Sequence, residues 1–220
     1  MREGTEHWLA VRPAITKPDV PVVLEPGACH GQQTALMASV MKGGRLWAIE
    51  PDPRNIIRLR GRSFPECVTI IEGAISDHTG EAEFHQSTGI YPGGKWKDWS
   101  ASGSCRKPAK CLEHHPWLKF KLAIRVPCWT LDDFCLDHSI NHIDLIHADI
   151  QGCERDLIEL GQQMLRHTRY MNLEVSEGGG SYEGSWTMQQ MIEHLPNWEM
   201  VKQFGPDVLF RNTAYEPGGP

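Results

Sequence analysis

The stretch Val22-Val23-Leu24-Glu25-Pro26-Gly27-Ala28-Cys29-His30-Gly31 decides the fold of this chain. The apolar run at residues 20–24 predicts a buried strand, and residues 25–31 predict a turn that leads into a helix. Glycine at positions 27 and 31 permits a tight turn and lets a ligand approach the backbone closely. The helix that follows offers free N–H groups to such a ligand at its start.

Short apolar runs and helical patterns alternate on both sides of this turn. After the first strand, the predicted strands of this series span residues 45–49, 67–71, 143–148 and 170–175. Such alternation predicts parallel strands joined by crossover helices. Residues 198–204 and 208–211 flank Gly205-Pro206-Asp207, which predicts a closing hairpin. The expected fold is therefore α/β, with a mostly parallel central sheet flanked by helices and a C-terminal antiparallel hairpin.

The chain of 220 residues is long enough for one domain, which we expect over residues 1–215 with a flexible tail at 216–220. Residues 86–120 interrupt the alternation with an irregular, Trp-rich insertion that contains Trp96, Trp99 and Trp117. A long irregular segment inside a compact domain is usually functional or disordered. The tryptophans of this insertion either cover a ligand or attach the loop to the body of the protein.

The formal net charge is −6, and no run of Lys and Arg indicates a nucleic-acid-binding face. No stretch approaches the roughly 20 consecutive apolar residues of a membrane span. The seven cysteines are odd in number and scattered, which favours reduced thiols over a disulfide framework. We therefore expect a cytoplasmic protein with no nucleic-acid partner and no membrane span. The sequence does not indicate an oligomeric state.

An acidic residue follows the glycine turn at the end of the next predicted strand. Glu50 ends the second predicted strand, 25 residues after Glu25. In Rossmann-type sheets, an acid about 20 residues past the glycine turn binds the ribose hydroxyls of the ligand. A carboxylate suits this role because it accepts two hydrogen bonds from a vicinal diol. The alternative is a tight turn beside a solvated glutamate.

The order of six sequence blocks makes the chain similar to the FkbM family of methyltransferases. The blocks are VVLEPGACHG (22–31), LWAIEPDPRN (46–55), VTIIEGAISDHTGEAEF (68–84), VPCWTLDDF (126–134), IDLIHADIQGCE (143–154) and NLEVSE (172–177). The resemblance implies a Rossmann-like methyltransferase fold and S-adenosylmethionine as the cofactor. Members of the family typically methylate hydroxyl oxygens, often on sugars or polyketides.

The resemblance also implies which residues bind the cofactor. The first turn would hold its amino-acid and ribose portion, Glu50 its ribose hydroxyls, and the block after the third strand its adenine. The expected cofactor-binding residues are Glu25, Gly27, Ala28, Gly31, Glu50, Pro51, Gly73 and Ala74. The usual Asp-Val-Gly-Ala-Asn turn here has Glu25 at its start and Cys29 at its end. The usual Lys-x-Asp-x-Glu-Gly block keeps Asp149 but has His147 and Gln151 in place of its Lys and Glu.

Three residues are the candidates for catalysis, namely Asp149, His147 and Glu174. Asp149 and His147 alternate along one predicted strand and face the same side, and Glu174 ends the next strand. Either Asp149 or His147 could act as the general base for a hydroxyl nucleophile. The alternatives are a helix-capping acid, a core histidine and a polar strand end. A divalent cation held by these side chains is possible but not favoured, so we assign no metal ligands.

The sequence thus predicts an S-adenosylmethionine-dependent methyltransferase that methylates a hydroxyl of a sugar, glycan or other small molecule. Residues 86–120 would then form a mobile cover over the acceptor site. One alternative is a cofactor-binding module or partner subunit without turnover. Another is a methyltransferase that acts on a macromolecule, and the net charge of −6 speaks against nucleic acid.

Overall fold

The structure is a computed structural model and describes residues 1–2, 4–94, 98–175 and 179–217. The helices are α1 (Glu6–Thr16), α2 (Gln32–Ala38), α3 (Pro53–Arg60), α4 (Cys111–His114), α5 (Leu131–Asp137), α6 (Glu154–Glu159), α7 (Gln162–Arg166) and α8 (Met188–Glu193). The strands are β1 (Val22–Pro26), β2 (Arg45–Glu50), β3 (Val68–Glu72), β4 (Ala74–Ile75), β5 (Gly80–Gly89), β6 (Leu118–Trp129), β7 (Ile143–Ala148), β8 (Thr168–Glu174), β9 (Trp198–Phe204) and β10 (Asp207–Asn212).

Seven of these strands form the central sheet in the order β3-β2-β1-β7-β8-β10-β9. The pairs from β3 to β8 are parallel, whereas β10 pairs antiparallel with both β8 and β9. The predicted α/β fold with an antiparallel C-terminal hairpin is confirmed. The order of the strands reverses between β1 and β7. Ligands of such sheets bind in the crevice at the carboxyl ends of the strands where this reversal occurs.

Successive side chains of the central strands enter two separate apolar layers. In β1, Val23 packs with one layer and Leu24 with the other, and both are fully buried. The first layer contains Trp8 and Ile15 of α1, and the second contains Phe134 of α5. Because side chains of a strand alternate between faces, the continuous apolar runs seen in the sequence are those of strands covered on both sides.

A second, three-stranded sheet stands beside the central one in the order β4-β6-β5. The antiparallel pair β5–β6 continues to Gly89 opposite Leu118, with a register shift after Gln86. The predicted irregular insertion at 86–120 was therefore too long, because both of its ends are strand. The intervening stretch is 90–117, and Trp96 lies outside the described residues.

Two helical features differ from the sequence prediction. Helix α1 was not predicted, although Thr5 caps its start by accepting a hydrogen bond from the Trp8 N–H. Pro13 lies inside this helix and obscures its periodic pattern. The sequence from Glu154 to Leu165 has the pattern of a single helix, but the structure forms two helices there, α6 and α7, separated at Gly161. A Cβ at Gly161 would lie 2.4 Å from the Leu157 carbonyl oxygen, so the close contact requires glycine.

Within the described parts of the chain, no helix has the length and apolar character needed to cross a membrane. In the predicted tail, Glu216 donates its N–H to the Arg166 carbonyl oxygen at 2.9 Å. Its own carbonyl oxygen lies 2.8 Å from Nδ1 of His167. Residues 218–220 of that tail lie outside the described residues.

Candidate active site

The glycine turn after β1 is fastened to the neighbouring strands by its backbone. The N–H groups of Gly27 and Ala28 both donate to the Ile49 carbonyl oxygen, at 2.9 and 3.0 Å. Gly27 has a φ of +83°, and a Cβ there would lie 2.0 Å from the Asp149 carbonyl oxygen. Glycine is therefore required because the end of β7 passes directly against the turn. This contact with β7 is a reason for glycine in addition to the tight turn predicted from the sequence.

Gly31 has a different surrounding. It precedes α2 with a φ of +74°, and a Cβ there would lie 2.5 Å from Leu59 and 2.8 Å from Phe64. Glycine is required at position 31 because the backbone packs directly against α3 and the loop after it. Gly31 does not line the clefts described below, unlike the other predicted cofactor-binding residues.

Glu50 ends β2 and is joined to the glycine turn by a hydrogen bond. Its Oε2 accepts from the Cys29 N–H at 2.8 Å, and its Oε1 accepts from the Asp52 N–H at 2.8 Å and from Nδ2 of Asn55 at 3.2 Å. The side chain is almost fully buried, and burial raises its pKa to about 7. A buried carboxylate with fixed oxygens and remaining lone pairs can accept further hydrogen bonds from a bound diol.

A cleft opens in front of Glu50, and we call it the central cleft. Five of the predicted cofactor-binding residues line it: Gly27, Glu50, Pro51, Gly73 and Ala74. Ile75 and Phe84 add an apolar wall at the end formed by the second sheet. The central cleft thus combines one acidic end with a flat apolar end.

The remaining two predicted residues, Glu25 and Ala28, line a neighbouring cleft that also contains Gly27, Asp149 and Glu174; we call it the carboxylate cleft. Glu25 is 2% exposed, and its Oε2 has no hydrogen-bond partner among the described residues. Burial raises the pKa of Glu25 to about 8. A buried, unpartnered carboxyl oxygen at a cleft is a group that a cationic ligand would satisfy.

A network of polar side chains beside the central cleft was not predicted from the sequence. Asn55 on α3 donates to Glu50 and to the Ser100 carbonyl oxygen, the latter at 3.0 Å. The Ser100 hydroxyl donates to Oδ1 of Asn55 at 2.6 Å, and the Arg58 guanidinium donates to the Ser100 hydroxyl at 2.7 Å. His30 also lies in this group, 3.1 Å from Asn55. The network attaches the loop at Ser100 to α3, the helix that follows Glu50.

Asp149 lies at the end of β7, where three clefts meet. It lines the central cleft, the carboxylate cleft and a third, outer cleft. Its side chain is exposed, whereas the preceding Ala148 is fully buried. Glu174 at the end of β8 lines the last two of these clefts. The structure therefore brings two of the three predicted catalytic residues together at the carboxyl ends of adjacent strands.

Gln151 connects these two carboxylates. Its Nε2 donates to Oδ1 of Asp149 at 2.5 Å and to Oε2 of Glu174 at 2.6 Å. The negative charge of Asp149, followed by burial, raises the pKa of Glu174 well above its usual value. The loop that carries Gln151 is held by Glu154, which accepts from the N–H groups of Ile150 and Gly152, both at 2.9 Å.

His147 is the third predicted catalytic residue and lies deeper, with 6% exposure. Its Nδ1 lies 3.0 Å from Nδ2 of Asn172, and Oδ1 of Asn172 lies 2.8 Å from Nε2 of His7. Burial lowers the pKa of His147 to about 3, so its imidazole is neutral at physiological pH. His147 lines the carboxylate cleft, and the central and outer clefts are lined without it.

Aromatic side chains form one wall of the outer cleft and anchor the loop around it. Trp99 lines the cleft and stacks on Tyr91 at 4.7 Å, with Trp117 edge-on to both rings. Tyr182, from the chain after β8, also lines the cleft. The two alternatives for the tryptophans, covering a ligand or attaching the loop, therefore coexist. Among the described residues, no three His, Cys, Asp or Glu side chains converge to hold a metal ion.

Comparison with known proteins gives consistent results. The model of the methyltransferase FkbM domain matches residues 25–204. The 2-O-methyltransferase NoeI of Sinorhizobium fredii is 37% identical over 204 residues, covering 90% of this chain and 82% of the relative. An rRNA methylase from Streptococcus thermophilus superposes with a TM-score of 0.50 at 9% identity over 96% of this chain and 99% of that one. A putative rRNA methylase from Clostridium thermocellum superposes with a TM-score of 0.51 at 11% identity. The superposition covers 98% of this chain and 100% of that one.

The reversal of strand order at β1, the glycine turn joined to Glu50 and these matches together define an S-adenosylmethionine-dependent methyltransferase with a Rossmann-like fold. Within that class, the chain belongs to the methyltransferase FkbM domain family.

Proposed function

We propose that this protein transfers a methyl group from S-adenosylmethionine to a hydroxyl oxygen of a sugar or glycan, with Asp149 as the general base. The observation that carries the proposal is the position of Asp149 at the junction of the three clefts. A carboxylate there reaches the space of the cofactor and that of an acceptor at once. The 37% identity to a 2-O-methyltransferase supports oxygen as the methyl acceptor.

The residues present fit the cofactor. Glu50 would hold the ribose hydroxyls, and the apolar end of the central cleft at Ala74 and Phe84 suits a purine ring. The unpartnered oxygen of Glu25 in the adjoining carboxylate cleft suits the ammonium of the methionine portion. When bound, S-adenosylmethionine supplies an electrophilic methyl group on a sulfonium. The protein contributes mainly by positioning and by accepting the hydroxyl proton.

The outer cleft offers what a sugar requires. Trp99 presents an aromatic wall, and Gln151, Ser102 and Tyr182 add polar groups beside Asp149. Aromatic faces pack against the C–H face of a sugar ring, while polar groups bind its hydroxyls. The net charge of −6 makes an uncharged or small acceptor more suitable than nucleic acid.

Asp149 is better suited to act as the base than His147. Its carboxylate is exposed at the clefts, whereas the imidazole of His147 is buried and hydrogen-bonded to Asn172. No metal ion is part of the proposal.

The test is transfer of a radiolabelled methyl group to a panel of glycans and glycosides. Asp149→Asn is expected to lower turnover by about 100-fold or more, since a positioned base typically contributes 10²–10⁴. His147→Ala should cost less, and a chelator should leave the activity intact. Calorimetry with S-adenosylhomocysteine should show similar affinity for wild type and Asp149→Asn. Cofactor binding without transfer to any acceptor would instead identify a binding module, and full activity of Asp149→Asn would make Asp149 structural.

A further inference from the structure

The carboxamide of Gln151 lies between two carboxyl groups and has one N–H for each. The distances from Nε2 are 2.5 Å to Asp149 and 2.6 Å to Glu174. An ionised carboxylate only accepts hydrogen bonds, so the amide nitrogen, not the amide oxygen, must face this pair. The orientation of the amide is therefore dictated by its neighbours.

The other side of the same amide is also occupied. The hydroxyl of Tyr182 lies 2.9 Å from Oε1 of Gln151 and 2.8 Å from the Ser102 carbonyl oxygen, and its single proton serves these two acceptors. Burial raises the pKa of Tyr182, so the phenol remains a donor. The Gln151 carbonyl oxygen accepts from the Ser104 hydroxyl at 2.8 Å. Both the side chain and the backbone of Gln151 are thus held, although its φ is +53°.

The two carboxyl groups have unequal surroundings. Asp149 is exposed, whereas Glu174 is half-buried. The charge of Asp149, burial, and the charges of Glu154 and Asp207 all raise the pKa of Glu174. The other titratable groups that face this cluster are Glu25, Cys29, His7, Tyr182 and the amino group of Met1. Two carboxyl groups in contact disfavour ionisation of both, and the more buried Glu174 is the one that retains a proton more readily.

We propose that Gln151 is a positioning residue for methyl transfer, which holds Asp149 as the ionised base and Glu174 as its neutral neighbour. This inference rests on the proposed function, because it assigns the base of that reaction. Hydrogen bonds from Gln151 favour the charged form of Asp149, and the fixed amide sets the direction of its free oxygen. A glutamate of the same size would bring a third carboxyl group to the cluster and lose both donors.

The experiment compares Gln151→Met, Gln151→Glu and the control Gln163→Glu, which adds the same charge on the exposed surface of α7. The acidic limb of the kcat–pH profile is expected to move upward by roughly one pH unit in both Gln151 variants. The reason is that loss of donors, or added negative charge, makes the ionised form of the base less favourable. kcat should fall about 10-fold or more, since misplaced catalytic groups cost up to about 100-fold. The control should match the wild type, and affinity for S-adenosylhomocysteine should not change.

A second readout does not depend on turnover. Carbon-13 NMR of the carboxyl groups, with the protein bound to S-adenosylhomocysteine, should show Glu174 titrating well above an ordinary glutamate. The carboxyl chemical shift of Asp149 at a fixed pH should change in Gln151→Met and, to a smaller extent, in Tyr182→Phe. An ordinary titration of Glu174, or an unmoved acidic limb with kcat lowered equally at every pH, would overturn the inference. If the wild type methylates no acceptor but the titrations behave as described, the proposed function fails while the positioning of Asp149 stands.

Discussion

The N–H of Cys29 donates to Oε2 of Glu50 at 2.8 Å, so the turn after β1 and the acid at the end of β2 form one unit. The same carboxylate accepts from the Asp52 N–H at the start of α3. Glu50 is thereby fixed before any ligand arrives. A group that needs no reorganisation on binding contributes more of its interaction free energy to affinity.

The affinity for S-adenosylhomocysteine is expected to rise with pH between about 6 and 8. Burial raises the pKa of Glu50 to about 7, so its carboxyl group is protonated below that pH and then accepts fewer hydrogen bonds from a diol. Calorimetry across this range measures the effect. Glu50→Gln should bind more weakly by about 1–3 kcal/mol at pH 8 and lose the part of the pH dependence centred near pH 7. The part that comes from Glu25, whose pKa burial raises to about 8, should remain. Equal pH dependence in both proteins would remove Glu50 from the ribose site.

Gly27→Ala should destabilise the fold far more than Gly43→Ala. Both glycines have a φ near +85°, but a Cβ at Gly43 has open space, whereas one at Gly27 would lie 2.0 Å from the Asp149 carbonyl oxygen. Gly43→Ala should cost about 1–2 kcal/mol, the usual strain of this conformation. Gly27→Ala should cost at least twice as much in urea unfolding. Similar losses of unfolding free energy in the two variants would show that the backbone at the end of β7 can move to make room for the added Cβ.

His147 should make the free energy of unfolding decrease at acidic pH. Burial lowers its pKa from 6.5 to about 3, so the folded state favours the neutral imidazole. The unfolding free energy is unaffected by this imidazole above pH 6.5. As the pH falls from 6.5 toward 3, only the unfolded state binds the proton, so the unfolding free energy decreases by about 1.4 kcal/mol per pH unit. The difference in unfolding free energy between wild type and His147→Gln should show this slope between pH 6.5 and 5. The matching change at the exposed His114 should show no such slope, and a flat difference for His147 would contradict its burial.

Trp99→Ala should raise the KM for the acceptor by roughly three- to tenfold, the range expected for loss of an aromatic contact. Trp99 lines the outer cleft, and the central cleft is lined without it, so affinity for the cofactor should change little. Trp198→Ala, which removes a tryptophan at the start of β9 that does not line the outer cleft, is the control and should leave KM unchanged. An unchanged KM in Trp99→Ala would mean that its ring only anchors the loop.

Hydrogen exchange addresses the cover predicted from the sequence. Exchange at residues 98–104 and 111–118 is expected to slow when an acceptor binds, because these residues border the outer cleft. The Arg54–Asp98 ion pair and the Ser104–His85 backbone pairing should keep part of the segment protected even without an acceptor. Equal, strong protection with and without acceptor would describe a fixed wall instead of a cover.

The parts of the site that were predictable from the sequence are those coded within one strand and its following turn. Gly27, Glu50 and Asp149 each end or follow a buried apolar run, and parallel strands bring their ends together. The contact between Asn55 and Ser100 was not predictable, because it joins positions 45 residues apart through a loop without periodic pattern. Helix α1 was missed for a local reason: Pro13 interrupts the helical pattern that Trp8, Val11 and Ile15 otherwise form.

The extent of β5 and β6 was underestimated for another reason. β6 exposes Lys121, Leu122 and Ala123 in succession, so the alternation of its buried and exposed side chains is interrupted. Its length depends on pairing with β5, which the sequence of either strand alone does not reveal. The role of Gln151 similarly depends on Glu174 and Tyr182, both more than 20 residues away.

The contact between Gly27 and the Asp149 carbonyl has a consequence for how variants of this enzyme are to be interpreted. The turn that we expect to face the methyl donor is in close contact with the backbone of Asp149, the proposed base. On this proposal the separation between donor and base is set inside the central sheet, while the loops around the outer cleft lie outside it. A kinetic defect caused by a change in the turn therefore does not by itself diagnose weakened cofactor contact. Conversely, we expect that changes in residues 98–118 can alter acceptor preference without changing the distance between the methyl donor and the proposed base.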